Sequence, residues 1–137
     1  MEFVFAREGA PPGKDGYVND PRDPGGETKY GIAKRSHPTV DFKTLTREGA
    51  AKIYRAEYWD AAKCEAVSEQ LRLTLFDTAV NCGVGRARQF LQPLTSLDDY
   101  LFERLTLYAG IPRRRPASLA FLPGWMKRTI LVREASQ

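Results

Sequence analysis

Four carboxylates near the start of the chain have the types and order that glycoside hydrolysis needs. Glu8 closes a short apolar stretch, Phe3-Val4-Phe5-Ala6, and the segment behind it carries Asp15, Asp20 and Asp23. Cleaving a glycosidic bond takes one carboxylic acid that protonates the leaving oxygen. It also takes a second group, ionised, that activates water or steadies the oxocarbenium-like centre. Burial of a carboxyl against apolar neighbours raises its pKa, and Phe5 and Tyr30 are the candidates to bury Glu8. Spacing alone does not separate this reading from four solvated surface carboxylates. The other nucleophile chemistries are poorly provided for. The chain has one histidine, His37, and two cysteines, Cys64 and Cys82, with no CxxC pair and no ligand spacing for zinc. No cofactor and no metal are expected.

The elements that must position these groups are mostly helical. Residues 3–9 carry a short helical pattern ending at Glu8. Residues 10–26 hold four Pro and four Gly, a density that stops regular elements and sets tight turns. A connector of that length is commonly functional, and Tyr17 and Val18 give it apolar side chains to pack, with a short ribbon there. A short helix is expected over Glu27–Arg35, ending before His37-Pro38. Thr46 is an N-cap for a helix over Arg47–Cys64. The next helix starts near Ser68 and breaks at Asn81-Cys82-Gly83-Val84-Gly85. Further helices are expected over Arg86–Leu91, from Ser96 to Tyr108, and over Trp125–Glu134. Gly110-Ile111-Pro112 should end the Ser96 helix and leave Arg113, Arg114 and Arg115 in a non-helical, exposed segment. The fold class is mainly α, a single domain over residues 1–137 with a long Pro/Gly-rich active-site loop.

Composition narrows the partners. The chain has 137 residues, 42% hydrophobic and 28% charged, with 21 Lys and Arg against 17 Asp and Glu, a net +4. A basic excess favours an anionic partner such as nucleic acid, a wall polymer or lipid. The excess lies in the C-terminal third, at Arg113–Arg115, Lys127, Arg128 and Arg133. A nucleic-acid partner is not expected, because no aromatic platform interleaves these charges. No apolar run reaches the ~18 residues of a membrane helix, and the N-terminus lacks the pattern of a signal peptide.

Three motifs carry a resemblance. Gly16-Tyr17-Val18-Asn19-Asp20-Pro21-Arg22-Asp23-Pro24-Gly25-Gly26-Glu27-Thr28-Lys29-Tyr30-Gly31-Ile32 resembles the signature of glycoside hydrolase family 108, the N-acetylmuramidases of bacteriophage endolysins and bacterial lysozyme-like proteins. Phe76-Asp77-Thr78-Ala79-Val80-Asn81-Cys82-Gly83, and Phe121-Leu122-Pro123-Gly124-Trp125 with Arg128, are similar to the peptidoglycan-binding region that follows in that family. The resemblance implies a lysozyme-like fold, with the catalytic motif in residues 1–75 and a shortened wall-binding region in 76–137. The implied activity is hydrolysis of the β-1,4 bond between N-acetylmuramic acid and N-acetylglucosamine.

Members of the family usually read Glu-Gly-Gly-Tyr. Here Lys14 stands at the acid's place, and the Glu-Gly pair occurs as Glu8-Gly9, with Ala10 to Asp15 inserted ahead of Gly16-Tyr17. An insertion behind a helix end can loop out without moving the helix, so the acid role is carried to Glu8, with Asp15 as its competitor. Asp23 and Thr28 resemble the Asp and Thr that place water in phage-type lysozymes. Asp20 is the alternative second carboxylate, or an Asx-turn anchor, and Thr28 alternatively caps a following helix. Tyr17 and Tyr30 stack on sugar or pack in the core, Gly26 allows close backbone approach, and Asn81 bonds an N-acetyl group or is structural. The expected partner is peptidoglycan, the expected state a monomer without membrane insertion. The expected route is synthesis in the bacterial cytoplasm and access to the wall after membrane permeabilisation. A wall-binding protein without catalysis is the alternative.

Overall fold

A computed structural model describes residues 1–19, 26–92 and 95–137, and the chain forms two compact units, Met1–Arg55 and Ala56–Gln137. It is mainly helical, with one two-stranded ribbon among the described residues, consistent with a lysozyme-like, mainly α fold.

In the first unit, α1 (Glu2–Arg7) is only six residues long. An isolated helix of that length is unstable in water, so its order must come from packing. Val4 and Phe5 are fully buried in a core with Ala10, Ile32, Phe42, Leu45, Ala50 and Tyr54. The Phe5 ring meets Tyr54 edge-on at 5.4 Å and Tyr30 at 6.2 Å. Burying a Phe and a Val contributes about 1.5–3 kcal/mol each, enough to hold a helix this short.

The expected helix over Glu27–Arg35 is instead a β-ribbon, β1 (Thr28–Lys29) and β2 (Ile32–Ala33), antiparallel with Thr28 opposite Ala33 and Lys29 opposite Ile32. Val18 and Thr28 exchange backbone bonds of 2.9 and 2.8 Å. This edge pairing is what local helical spacing could not reveal. Thr28 therefore caps no helix. The two strands join through Tyr30-Gly31, both with positive φ, 53° and 76°, the backbone of a type I′ hairpin turn. His37 follows between two turns, not at a helix end. α2 (Arg47–Tyr54) starts at Thr46, whose side chain accepts from the Gly49 N–H at 3.1 Å. It does not run on as α-helix to Cys64. The backbone widens to a π turn over Arg55–Asp60, and Lys63 takes left-handed φ before a 3-10 turn at Cys64–Ala66.

The second unit is built from α3 (Glu69–Cys82), α4 (Val84–Gln89), α5 (Leu97–Arg114) and α6 (Leu122–Ala135). Gly83, at φ 90°, ends α3 as expected. Ser96 caps α5 with Asp99 in a reciprocal capping box. α5 overruns its expected end: Pro112 lies inside it, and Arg113 and Arg114 form its last turn. A proline removes one N–H and crowds the preceding turn, but here only the final turn lies beyond it. The three arginines remain exposed, as expected.

At the centre of this unit is a buried ion network. Asp77 and Arg104 are fully buried, and Arg104 Nη2 forms an ion pair with Asp77 Oδ2 at 2.8 Å. Arg128 donates to both oxygens of the same carboxylate, Nη2 to Oδ1 at 2.8 Å, Nε to Oδ1 at 3.0 Å and Nε to Oδ2 at 3.2 Å. Arg104 also donates to Tyr108 Oη at 2.9 Å and to Thr78 Oγ1 at 3.2 Å. Burial opposes the Arg104 charge, but Asp77 and Tyr108 outweigh it and hold its pKa above the usual value. Tyr108 in turn stacks on Trp125 at 5.4 Å. The second and third sequence motifs thus meet directly through Asp77–Arg128, and Tyr108 bridges them by bonding Asn81 and stacking on Trp125.

Candidate active site

Glu8 is the C-cap of α1, with its N–H bonded to the Val4 and Phe5 carbonyls at 3.0 and 3.1 Å. It is half-buried. The ribbon turn presses on its stem: a β-carbon at Gly31 would lie 2.5 Å from Glu8 Cβ and 2.5 Å from Tyr54 Oη. Only glycine fits there, on space and on its φ of +76°. Tyr54 Oη donates to the Tyr30 carbonyl at 3.2 Å, and the Tyr30 N–H donates to the Asp15 carbonyl at 2.6 Å. Two bonds therefore pin the one ribbon residue whose left-handed backbone is unfavourable for a side chain.

The inserted segment closes on itself. A β-carbon at Gly16, whose φ is +60°, would lie 2.6 Å from the Gly9 carbonyl oxygen. Glu8-Gly9 and Gly16-Tyr17, six residues apart in sequence, thus come together as one backbone junction. Lys14 is displaced into the loop and exposed.

An open cleft of about 660 Å³ lies over this junction, lined by Gly9, Lys14, Asp15, Tyr17, Tyr30 and Arg47 among others. Tyr17 is 49% exposed, and its hydroxyl donates to Glu27 at 3.1 Å. Tyr30 lines the cleft and also packs on Phe5. Asp15 is the carboxylate lining the cleft among the described residues. Its Oδ1 accepts from the Tyr17 N–H at 3.1 Å, so it anchors a turn. Glu8 lies beside the cleft, joined to it through Gly9. Gly26 has left-handed φ, and a β-carbon there would meet nothing within 4 Å. Thr28 is in β1, and Asp20 and Asp23 lie outside the described residues. Asn81 belongs to the second unit, where its carboxamide oxygen accepts from Tyr108 Oη at 2.5 Å.

Arg47 is the positioning residue that sequence reasoning missed. It donates to Glu2 through Nε and Nη2 at 3.0 and 2.5 Å, to the Ala10 carbonyl at 3.1 Å and to the Lys14 carbonyl at 3.3 Å. Its guanidinium also lies 4.6 Å from the Phe5 ring centre. One side chain thus ties α1, the inserted loop and α2 together. In sequence Arg47 is only the residue after a helix cap, and no local pattern marks its partners. No local pattern marks Glu27 either, although its carboxylate accepts from the Tyr17 hydroxyl.

A carboxylate at the end of a short buried helix, a β-ribbon against its stem and a tyrosine-lined cleft are features of a lysozyme-like glycosidase. Residues 1–83 match the family described as glycosyl hydrolase 108, and the chain belongs to it. Among solved structures it is similar to the "Structure of Brucella abortus SagA", at a TM-score of 0.70 and 24% identity over 97% of this chain and 88% of that one. That likeness is one of fold. No curated protein matches the chain.

Proposed function

We propose that this protein is a muramidase that hydrolyses the β-1,4 bond between N-acetylmuramic acid and N-acetylglucosamine in peptidoglycan, with Glu8 as the proton donor. The observation that carries the reading is the junction of Gly9 with Gly16. It reunites the Glu-Gly and Gly-Tyr halves of the family motif and leaves Glu8, not Lys14 or Asp15, at the helix end. In the proposed step Glu8 protonates the leaving glycosidic oxygen as the bond to C1 breaks, and water adds to C1. Asp23 or Asp20, with Thr28, takes the water-placing role, and Tyr17 and Tyr30 offer ring faces to the sugars. Asp15 is the weaker candidate for the acid, because its carboxylate serves as a turn acceptor.

The protein acts as a monomer on the wall, reached after membrane permeabilisation from a cytoplasmic site of synthesis. Mass spectrometry of fragments released from purified peptidoglycan tests the activity: reducing N-acetylmuramic acid ends are expected. Reducing N-acetylglucosamine ends or free stem peptides would move it to another specificity. Binding without release of reducing sugar would favour the non-catalytic alternative.

A further inference from the structure

The second unit has a charge asymmetry that the proposed chemistry does not use. From Arg104 to Arg133 the chain carries seven basic residues and no acidic one. Arg104, Arg128 and Arg133 are engaged with Asp77 or Asp98. Arg113, Arg114 and Arg115 are exposed and have no ion-pair partner among the described residues.

A fourth guanidinium joins them. Arg86, on α4 and far away in sequence, lines one cavity of about 380 Å³ with Ile111, Arg114 and Arg115. Arg86 and Arg114 also line a second cavity of about 560 Å³, with Arg113 and Gln89 beside the apolar Phe90 and Leu107. The two cavities therefore adjoin. Glu103 is the one carboxylate lining either, and it makes no ion pair with these arginines among the described residues.

Arginine in the last turn of a helix is favourable against the dipole, which accounts for the residue types one helix at a time. It does not account for guanidiniums from two helices converging on shared cavities, where like charges repel. All four are arginine, whose planar fork matches the oxygens of phosphate in pairs. One carboxylate occupies one such fork, whereas four unpaired forks over two adjoining hollows suit a ligand with several phosphate charges. Ile111, Phe90 and Leu107 offer apolar contact to the part of the ligand between its charges.

We propose that Arg86, Arg113, Arg114 and Arg115 form a phosphate-binding cradle, separate from the hydrolytic site and independent of the muramidase reading. The test is titration calorimetry of the full chain at low salt with inorganic triphosphate, and with citrate as a carboxylate control. Triphosphate is expected to bind more tightly than citrate. Arg86→Gln and Arg114→Gln should each weaken it about tenfold, the effect of losing a charge-assisted pair of bonds. Lys127→Gln removes the same charge from an exposed site elsewhere on the unit and should leave binding unchanged. Melting curves check that each variant folds. Vesicles of phosphatidylglycerol against phosphatidylcholine identify the source of the phosphate. Arg86-dependent vesicle binding that triphosphate displaces assigns a lipid headgroup, and triphosphate binding without vesicle binding assigns a soluble phosphate polymer. The proposal is overturned if triphosphate does not bind, if citrate binds as well, or if Lys127→Gln costs as much as Arg86→Gln. Duplex DNA bound more tightly than triphosphate, with the same Arg86 dependence, also overturns it in favour of nucleic-acid recognition.

Discussion

Replacing Glu8 by Gln keeps the side chain's size and removes its acid. Wall-lysis rate is expected to fall about 100-fold or more, the range for loss of general acid catalysis, with an unchanged melting temperature. Asp15→Asn should stay within a few-fold of wild type, and the reverse pattern would transfer the acid role to Asp15. Gly31→Ala tests the support behind Glu8. The left-handed backbone costs a non-glycine residue about 1–2 kcal/mol, and its methyl would meet Glu8 Cβ and Tyr54 Oη. Both stability and activity should fall, and residual activity in the still-folded fraction should also be low. Cysteine reactivity differs by site. Cys64 is buried, and burial, with Glu65 and Asp60 nearby, pushes its thiol up to about 12, while Cys82 is partly exposed. At neutral pH an alkylating reagent should label Cys82 readily and Cys64 only on unfolding, read by mass spectrometry of labelled peptides.

At the scale of elements, α1 is held by contacts from elsewhere in its unit. Arg47→Met removes the bonds to Glu2, Ala10 and Lys14 while keeping much of the stem over Phe5. The amides of α1 should then exchange faster with solvent, and kcat should fall more than KM rises, because the carboxyl is displaced. The clamp also titrates. The Arg47 hydrogen bond holds Glu2 below the usual carboxylate range. A depressed folded-state pKa gives a contribution present above the ordinary Glu pKa and lost as pH falls through the folded value. Acid should therefore loosen α1 in the wild type and change little in Arg47→Met, as followed by hydrogen exchange. In the second unit, Ser96→Ala removes one half of a capping box and should cost about 1 kcal/mol, measured by denaturant unfolding.

At the scale of the molecule, the central liability is the buried charge in α3. Asp77→Asn would leave Arg104 buried without its counter-charge, and breaking a buried pair costs about 3–5 kcal/mol. Urea unfolding should show a loss of that size, far larger than for Asp98→Asn, whose partner Arg133 is exposed. The basic excess acts at longer range. Exposed charges reach about 10 Å at 0.1 M salt, so replacing Arg113, Arg114 and Arg115 together by Gln should weaken binding to whole wall, mainly at low salt. Turnover of a small soluble muropeptide oligomer should be nearly unchanged. A large fall in that turnover would place these arginines in the substrate cleft.

Local chemistry determined what the sequence by itself revealed. Thr46 and Ser96 mark helix starts because caps bond within three residues, and Gly83 marks a helix end because it takes positive φ without strain. The motif around Tyr17 and Tyr30 showed the family, and Glu8-Gly9 carried the proposal for the acid. Tertiary structure decided what depends on distant partners. Thr28–Lys29 became a strand because Val18 and Ala33 were there to bond it. The Arg113–Arg114 turn stayed helical past Pro112 because only one turn followed the break. Arg47 became the clamp of α1, Asp77 the centre of a buried network, and Arg86 a neighbour of the arginine triplet, all through contacts between residues far apart in sequence. Gly9 and Gly16 show the division most directly. The chain separates them by an insertion, and a close backbone approach that a β-carbon at Gly16 would block rejoins them beside Glu8.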